Sequence, residues 1–162
     1  MSDRIRGFEP VFDVNSRLLI LGSFPSVKSR KVDFYYGNKQ NRFWKILFGF
    51  FGEEVQESAA AKREFLLRRG IALWDVVAEC EIVGSQDSTI RNYAAADIGR
   101  VLSAAPVEKI FLNGKTALAV FRKTFPEIGV PYECLPSTSP ANTRCDENVW
   151  RRALAEMFPD KK

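Results

Sequence analysis

The sequence predicts an α/β fold, a three-layer α/β/α sandwich around a central, mostly parallel four-stranded sheet. Three observations predict it. Short apolar runs alternate along the chain with longer amphipathic segments, the pattern of βαβ units. The first run is continuously apolar rather than alternating, as for a strand buried on both faces. The chain of 162 residues, 46% of them apolar, suits one domain with a sizeable core. No repeat, low-complexity tract or linker divides it, so a single domain over residues 1–162 is expected.

The elements follow in order. Arg17 to Gly22 is an apolar run stopped by glycine and reads as the first strand. Asn41 to Phe51 carries Phe43, Ile46, Leu47 and Phe50 at helical spacing, with Asn41 as a candidate cap. Ser58 to Arg69 is rich in Ala, Leu, Arg and Lys and reads as a helix stopped by Gly70. Ile71 to Val77 reads as a second buried strand, Gly84 to Asn92 as polar and irregular, and Ala95 to Ala104 as a short helix before Pro106. Glu108 to Asn113 is a third strand, Gly114 to Phe125 a helix, Val130 to Leu135 a fourth strand and Asp146 to Phe158 a closing helix.

Composition excludes several chemistries. There is no histidine, so imidazole bases, Ser-His-Asp and Cys-His schemes and His-bound metals are excluded. The three cysteines, Cys80, Cys134 and Cys145, form no C-x-x-C. They argue against a disulfide framework, a zinc ribbon or an iron–sulfur cluster, and for reduced thiols. No run approaches the roughly 18 apolar residues of a membrane span, and Met1 to Phe8 has no apolar core of a signal peptide. A cytoplasmic protein without cofactor, metal or membrane partner is expected, and nothing demands more than a monomer. The net charge of +4 is compatible with a polyanionic partner but does not establish one.

Two segments about a hundred residues apart point to a site. One is Leu19 to Ser26, with Gly22, Ser23, Phe24 and Pro25 at its loop, followed closely by Tyr35 to Trp44. The other is Leu135 to Asn142. Loops at the carboxyl ends of parallel strands face one crevice, where open α/β sheets bind ligands. Gly22 lets backbone approach a ligand closely, although an ordinary strand-to-helix turn uses glycine too. Tyr36 with Asn38 and Asn41 offers an aromatic face beside amides, which stack on bases and bond their edges. A core aromatic and a helix cap are the plainer readings. Asp75 ends an otherwise apolar strand and faces either the crevice or backbone donors. Asn113-Gly114-Lys115-Thr116 resembles the tail of a phosphate loop, but Lys109 stands where the first glycine belongs. What remains is a turn whose N–H groups and Lys115 could hold one phosphate, or a plain glycine turn. Ser137 to Asn142 could rest on phosphates through hydroxyl and backbone donors, or form a stiff surface loop.

Taken together, these segments resemble the uracil-DNA glycosylase superfamily over nearly the whole chain. Gly37 to Lys45 is similar to a segment of the mismatch-specific uracil glycosylases. Leu21 to Ser26 combined with Ser137 to Asn142 is closer to the hypoxanthine-DNA (deoxyinosine) glycosylases. The chain departs from its relatives at two places. Mismatch-specific enzymes carry a catalytic Asn, and uracil-specific ones an Asp, where Phe24 stands here. The uracil-specific enzymes also carry a His where Ser137 or Thr138 stands. In the hypoxanthine enzymes the resemblance places the catalytic role on the Asn matching Asn41. Asn38, at a position often His in relatives, is the second candidate.

The resemblance implies a glycosylase-like fold and a monofunctional DNA glycosylase acting on deaminated bases in double- or single-stranded DNA, chiefly hypoxanthine. The alternatives are a uracil or mismatch glycosylase and a catalytically silent lesion-binding module. A flipped base would meet Gly22, Ser23, Phe24, Pro25, Tyr36, Asp75 and Asn113. DNA would meet Gly114, Lys115, Ser137, Thr138, Ser139, Pro140, Ala141, Asn142 and Arg144, with Ala141 and Asn142 on the loop pushed into the helix. Hypoxanthine carries an N1–H donor where adenine has a bare acceptor, so an ionised Asp75 at that edge would favour hypoxanthine.

Overall fold

The computed structural model describes residues 4–159; Met1, Ser2 and Asp3 of the N-terminal segment, and the last residues of the expected 1–162 unit, lie outside them. The chain runs β1 (Ile5–Arg6), β2 (Leu18–Gly22), α1 (Val27–Val32), α2 (Phe43–Phe50), α3 (Ala59–Arg68), β3 (Ile71–Asp75), β4 (Val77–Glu81), β5 (Arg91–Ala95), α4 (Gly99–Ala104), β6 (Lys109–Asn113), α5 (Lys115–Thr124), β7 (Tyr132–Leu135) and α6 (Glu147–Met157).

The expected sheet is present: four parallel strands in the order β3-β2-β6-β7. β2 lies inside it and is buried at every position, which explains its unbroken apolar run. Side-chain alternation separates the two faces. On one, Phe111 of β6 meets Trp150 of α6 edge-on at 6.2 Å, and Phe43 of α2 meets the same indole at 6.2 Å. On the other, Tyr132, registered with Ile110, meets Phe121 of α5 at 4.9 Å. Helices thus cover both faces. Phe48 of α2 stacks on Phe65 of α3 at 4.0 Å, and both rings are fully buried. Burial of each such side chain stabilises by about 2 kcal/mol relative to exposure.

A second sheet, β1-β4-β5, is antiparallel, and local sequence reading misses it. The strand expected over Ile71 to Val77 is two strands. At Val76 the backbone N–H turns to the Gly22 carbonyl at 2.8 Å, and Val77 leaves to pair with Ala95. The helix expected from Ala95 begins only at Gly99, because Ala95 belongs to β5. The polar segment 84–92 holds a single 3₁₀ turn, Asp87–Thr89, and the start of β5. Helix α1 is also unexpected; Ser26 caps it, its hydroxyl accepting from the Ser29 N–H at 3.1 Å.

Among the described residues no helix is long and apolar enough to cross a membrane.

Candidate active site

The carboxyl ends of the parallel strands open into a cleft of about 910 Å³. Four segments wall it: the loop after β2, the loop between α1 and α2, the β4–β5 connection and the loop after β7. Asp75 and Asn113, the last residues of β3 and β6, form part of its floor. This is the crevice expected of an open α/β sheet.

The loop after β2 is shaped by contact. A Cβ on Gly22 would lie 2.6 Å from Asp75 Oδ1 and 2.7 Å from the Tyr36 hydroxyl oxygen, distances that no side chain tolerates. Glycine is required here because two polar side chains close on the backbone. Phe24 is buried, its ring 5.9 Å from the Arg30 guanidinium. It gives the wall of the cleft an apolar ring with no acid or amide of its own.

Tyr36 takes up left-handed backbone at φ 51°, uncommon for an aromatic residue. Its ring stacks on Phe43 at 4.0 Å, and the residue lines the cleft. Its hydroxyl accepts from Asn113 Nδ2 at 3.2 Å. Burial, then the nearby Asp75, raises the phenol well above its ordinary range, so Tyr36 stays neutral.

Asn113 holds two loops together. Its amide also donates to Thr138 Oγ1 at 3.0 Å, and its Oδ1 accepts from the Thr138 N–H at 3.0 Å. Arg42 ties the same loops: its N–H donates to the Thr138 carbonyl at 3.0 Å and its guanidinium to the carbonyls of Ser139 and Asn142. Asn142 donates back to the Ser137 carbonyl at 2.9 Å. The loop after β7 is therefore rigid before any ligand arrives.

Asn38 and Asn41 both line the cleft. Asn41 Oδ1 accepts from the Phe43 N–H at 2.9 Å, the helix-start bond expected of it, although Arg42 occupies the capping position. Asn38 Oδ1 accepts from the Gln40 N–H at 3.0 Å. Both asparagines thus have their amides oriented by their own turns.

Asp75 is 5% exposed, and its Oδ2 has no hydrogen-bond partner. Burial, then the charge of Asp87, pushes its pKa up to about 7. The fully ionised Asp75 of the sequence reading is therefore the majority form only above that pH. An unpartnered buried carboxyl oxygen is costly, and here it belongs to a residue lining a cleft.

Of the residues singled out from sequence, Gly22, Ser23, Phe24, Pro25, Tyr36, Asn38, Asn41, Asp75, Asn113 and Ser137 to Asn142 line this cleft. Gly114, Lys115 and Arg144 do not. The Gly114 N–H, the donor proposed for a phosphate, is taken by the Leu135 carbonyl at 3.0 Å, and the residue packs against Ser137 at φ 97°. Lys115 and Arg144 are exposed outside the lining.

Sequence reasoning missed the fourth wall, Ser85, Gln86, Asp87 and Ser88, and the α1 residues Lys28 and Lys31. A Ser-x-x-Ser capping pattern at Ser26 and Ser29 was the available signal for α1. Nothing local distinguishes Asp87 from any acid in a polar loop.

Residues 9–157 match the Uracil DNA glycosylase superfamily. The chain is 37% identical over 145 residues to a protein of Methanosarcina acetivorans named hypoxanthine DNA glycosylase, covering 88% of this chain and 91% of the relative. It is 35% identical over 141 residues to a protein of the same name from Methanosarcina barkeri, covering 86% and 89%. A solution NMR structure of a candidate uracil DNA glycosylase from Methanosarcina acetivorans superposes with a TM-score of 0.82 at 34% identity, covering 96% of this chain and 99% of the other.

Proposed function

The chain belongs to the uracil DNA glycosylase superfamily, and from that premise we propose that it is a monofunctional DNA glycosylase that hydrolyses the N-glycosidic bond of deaminated bases, chiefly hypoxanthine, in base excision repair. The observation that carries the substrate is Asp75, a buried carboxyl with an unpartnered oxygen at the floor of a cleft otherwise walled by small polar and aromatic groups. The relatives named for hypoxanthine support the same reading.

The chemistry follows from the fit. A base stacked in a duplex is out of reach, so it is turned out into the cleft. Tyr36 lines the cleft beside the base, and the neighbourhood of Ser23 and Phe24 lines the pocket. Ser137 to Asn142, with Lys28 and Lys31, meets the DNA backbone. Ala141 is exposed at the tip of its loop but is a small wedge, so weakly paired lesions are turned out most easily.

Ionised Asp75 accepts the N1–H of hypoxanthine. Neutral Asp75 presents a donor and an acceptor that suit adenine instead, so discrimination belongs to the ionised form. Asn41, and secondarily Asn38, orients the attacking water and lends partial negative charge to the oxocarbenium-like sugar. No lysine nucleophile is needed, and the strand stays intact at the abasic product. The enzyme acts as one domain, a monomer in the cytoplasm, without metal or cofactor.

The test is single-turnover release of base from duplexes and single strands carrying one hypoxanthine, uracil or xanthine, by wild type and Asn41→Ala. Hypoxanthine release that falls about 100-fold in Asn41→Ala supports substrate and residue together. Uracil release alone moves the protein to another branch of the superfamily. Tight binding with no release of any base makes it a lesion-binding module.

A further inference from the structure

Hydrolysis is faster when a protein group takes the proton of the attacking water as it bonds, and no asparagine can. Asn38 and Asn41 are neutral amides, each with its Oδ1 already engaged by a backbone N–H. Among the described residues, the carboxyls lining the cleft are Asp75 and Asp87. Asp75 is buried, its Oδ1 close to the Gly22 backbone. Asp87 is only half-buried, so water can reach it.

Its placement is built. Asp87 opens the 3₁₀ turn between β4 and β5, and the Ser23 hydroxyl donates to its Oδ2 at 2.8 Å. Ser23 is the residue before Phe24, on the loop after β2. The turn is fixed from three sides. Ser85 Oγ accepts from the Val27 N–H at 2.9 Å, the Gly84 carbonyl accepts from Arg30 at 2.7 Å, and Thr89 Oγ1 donates to the Gln86 carbonyl at 2.6 Å. A carboxylate is thus carried by a distant hairpin to the first loop and held there by that loop's own serine.

We propose that Asp87 is the catalytic carboxylate of this hydrolysis, delivered by the β4–β5 connection to the side of the first loop. This rests on the glycosylase reading above. The water oxygen bonds to the sugar C1′ while one of its protons passes to the Asp87 carboxylate. The C1′–N9 bond breaks, and its electron pair leaves with the base. The departing base takes a proton from solvent, and Asp87 later returns its proton to solvent. One water is consumed and nothing is oxidised or reduced.

The two carboxyls are held in different environments, the usual arrangement when two acids divide roles. Burial raises Asp87 above the ordinary carboxylate range, and the Ser23 bond favours its ionised form. The titratable groups whose charges couple to it are Asp75 at the end of β3, Tyr36 before α2 and Cys80 on β4. Arg30 of α1 sits at the root of the same turn.

The test is single-turnover hypoxanthine release by the full chain as a function of pH, for wild type, Asp87→Asn, Asp87→Ala, Ser23→Ala and Asp75→Asn. Asp87→Asn is expected to be slowed about 100-fold or more, with lesion-DNA affinity within about threefold of wild type. The acidic limb of the wild-type rate profile should hold two titrations, that of Asp75 near pH 7 and that of Asp87; the Asp87 one should vanish in Asp87→Asn and persist in Asp75→Asn. Added formate should restore part of the Asp87→Ala rate. Ser23→Ala removes a bond to the ionised form, so its acidic limb should move to higher pH. Asp87→Asn within threefold of wild type, or an acidic limb unchanged in that variant, overturns the proposal and leaves the glycosylase reading standing. Should the Asp87 variants fail to fold, an unmoved acidic limb in Ser23→Ala overturns it. Wild type that releases no hypoxanthine overturns both.

Discussion

Replacing Asp75 with Asn should stabilise the protein at neutral pH and leave it unchanged in acid. The side chain ionises near pH 3.8 when unfolded, whereas burial holds it protonated to about pH 7 in the fold. Below about pH 4 both states carry the proton, and the carboxyl behaves as a neutral isostere of the amide. Between about pH 4 and pH 7 the unfolded chain gives up its proton while the folded one keeps it, so rising pH favours unfolding. Above the folded pKa the loss is complete. The difference of 7 − 3.8 = 3.2 pH units at 1.36 kcal/mol each corresponds to about 4 kcal/mol. The amide has no such titration. Urea unfolding of wild type and Asp75→Asn, followed from about pH 4 to pH 8.5, should show curves that coincide in acid and diverge by up to about 4 kcal/mol, the variant being the more stable. A stability difference that stays constant across that range would refute the reasoning, because it would show that Asp75 ionises normally in the fold.

Three further outcomes are expected. Gly22→Ala drives a methyl into Asp75 Oδ1 and the Tyr36 hydroxyl; it should cost roughly 1–3 kcal/mol in urea unfolding and slow base release by at least about tenfold. Asn113→Ala leaves the buried Thr138 N–H without its acceptor and the Tyr36 hydroxyl without its donor; thermal unfolding should report a loss of about 1–3 kcal/mol. The ratio of hypoxanthine to adenine release should rise with pH from about 6 to 8 as Asp75 ionises, and this slope should be absent in Asp75→Asn, whose amide can turn to suit either base.

Much of the site was legible because it sits where a parallel sheet must put it. The unbroken run of β2 announces a strand buried on both faces, and the glycine ending it announces a close approach. The structure names the approaching groups as Asp75 and Tyr36. The loops after β2 and β7 share a crevice because their strands flank β6 in one sheet. The fourth wall was illegible for a physical reason. β4 and β5 pair through contacts that no local period encodes, and β5 is mostly exposed, so its sequence carries no apolar signature. Val76 gave no sign that the chain changes sheets, since it is as apolar and buried as the strand before it. The glycine turn at Gly114 was over-read: its N–H looked free in sequence but is spent on the adjacent strand.

The most direct measurement is the identity of the free base released from one duplex set, identical except for hypoxanthine, uracil or adenine at a single position. The account predicts hypoxanthine as the dominant free base, an abasic site in an unbroken strand, and adenine left in place. Tight binding to the hypoxanthine duplex with no free base of any kind would contradict it.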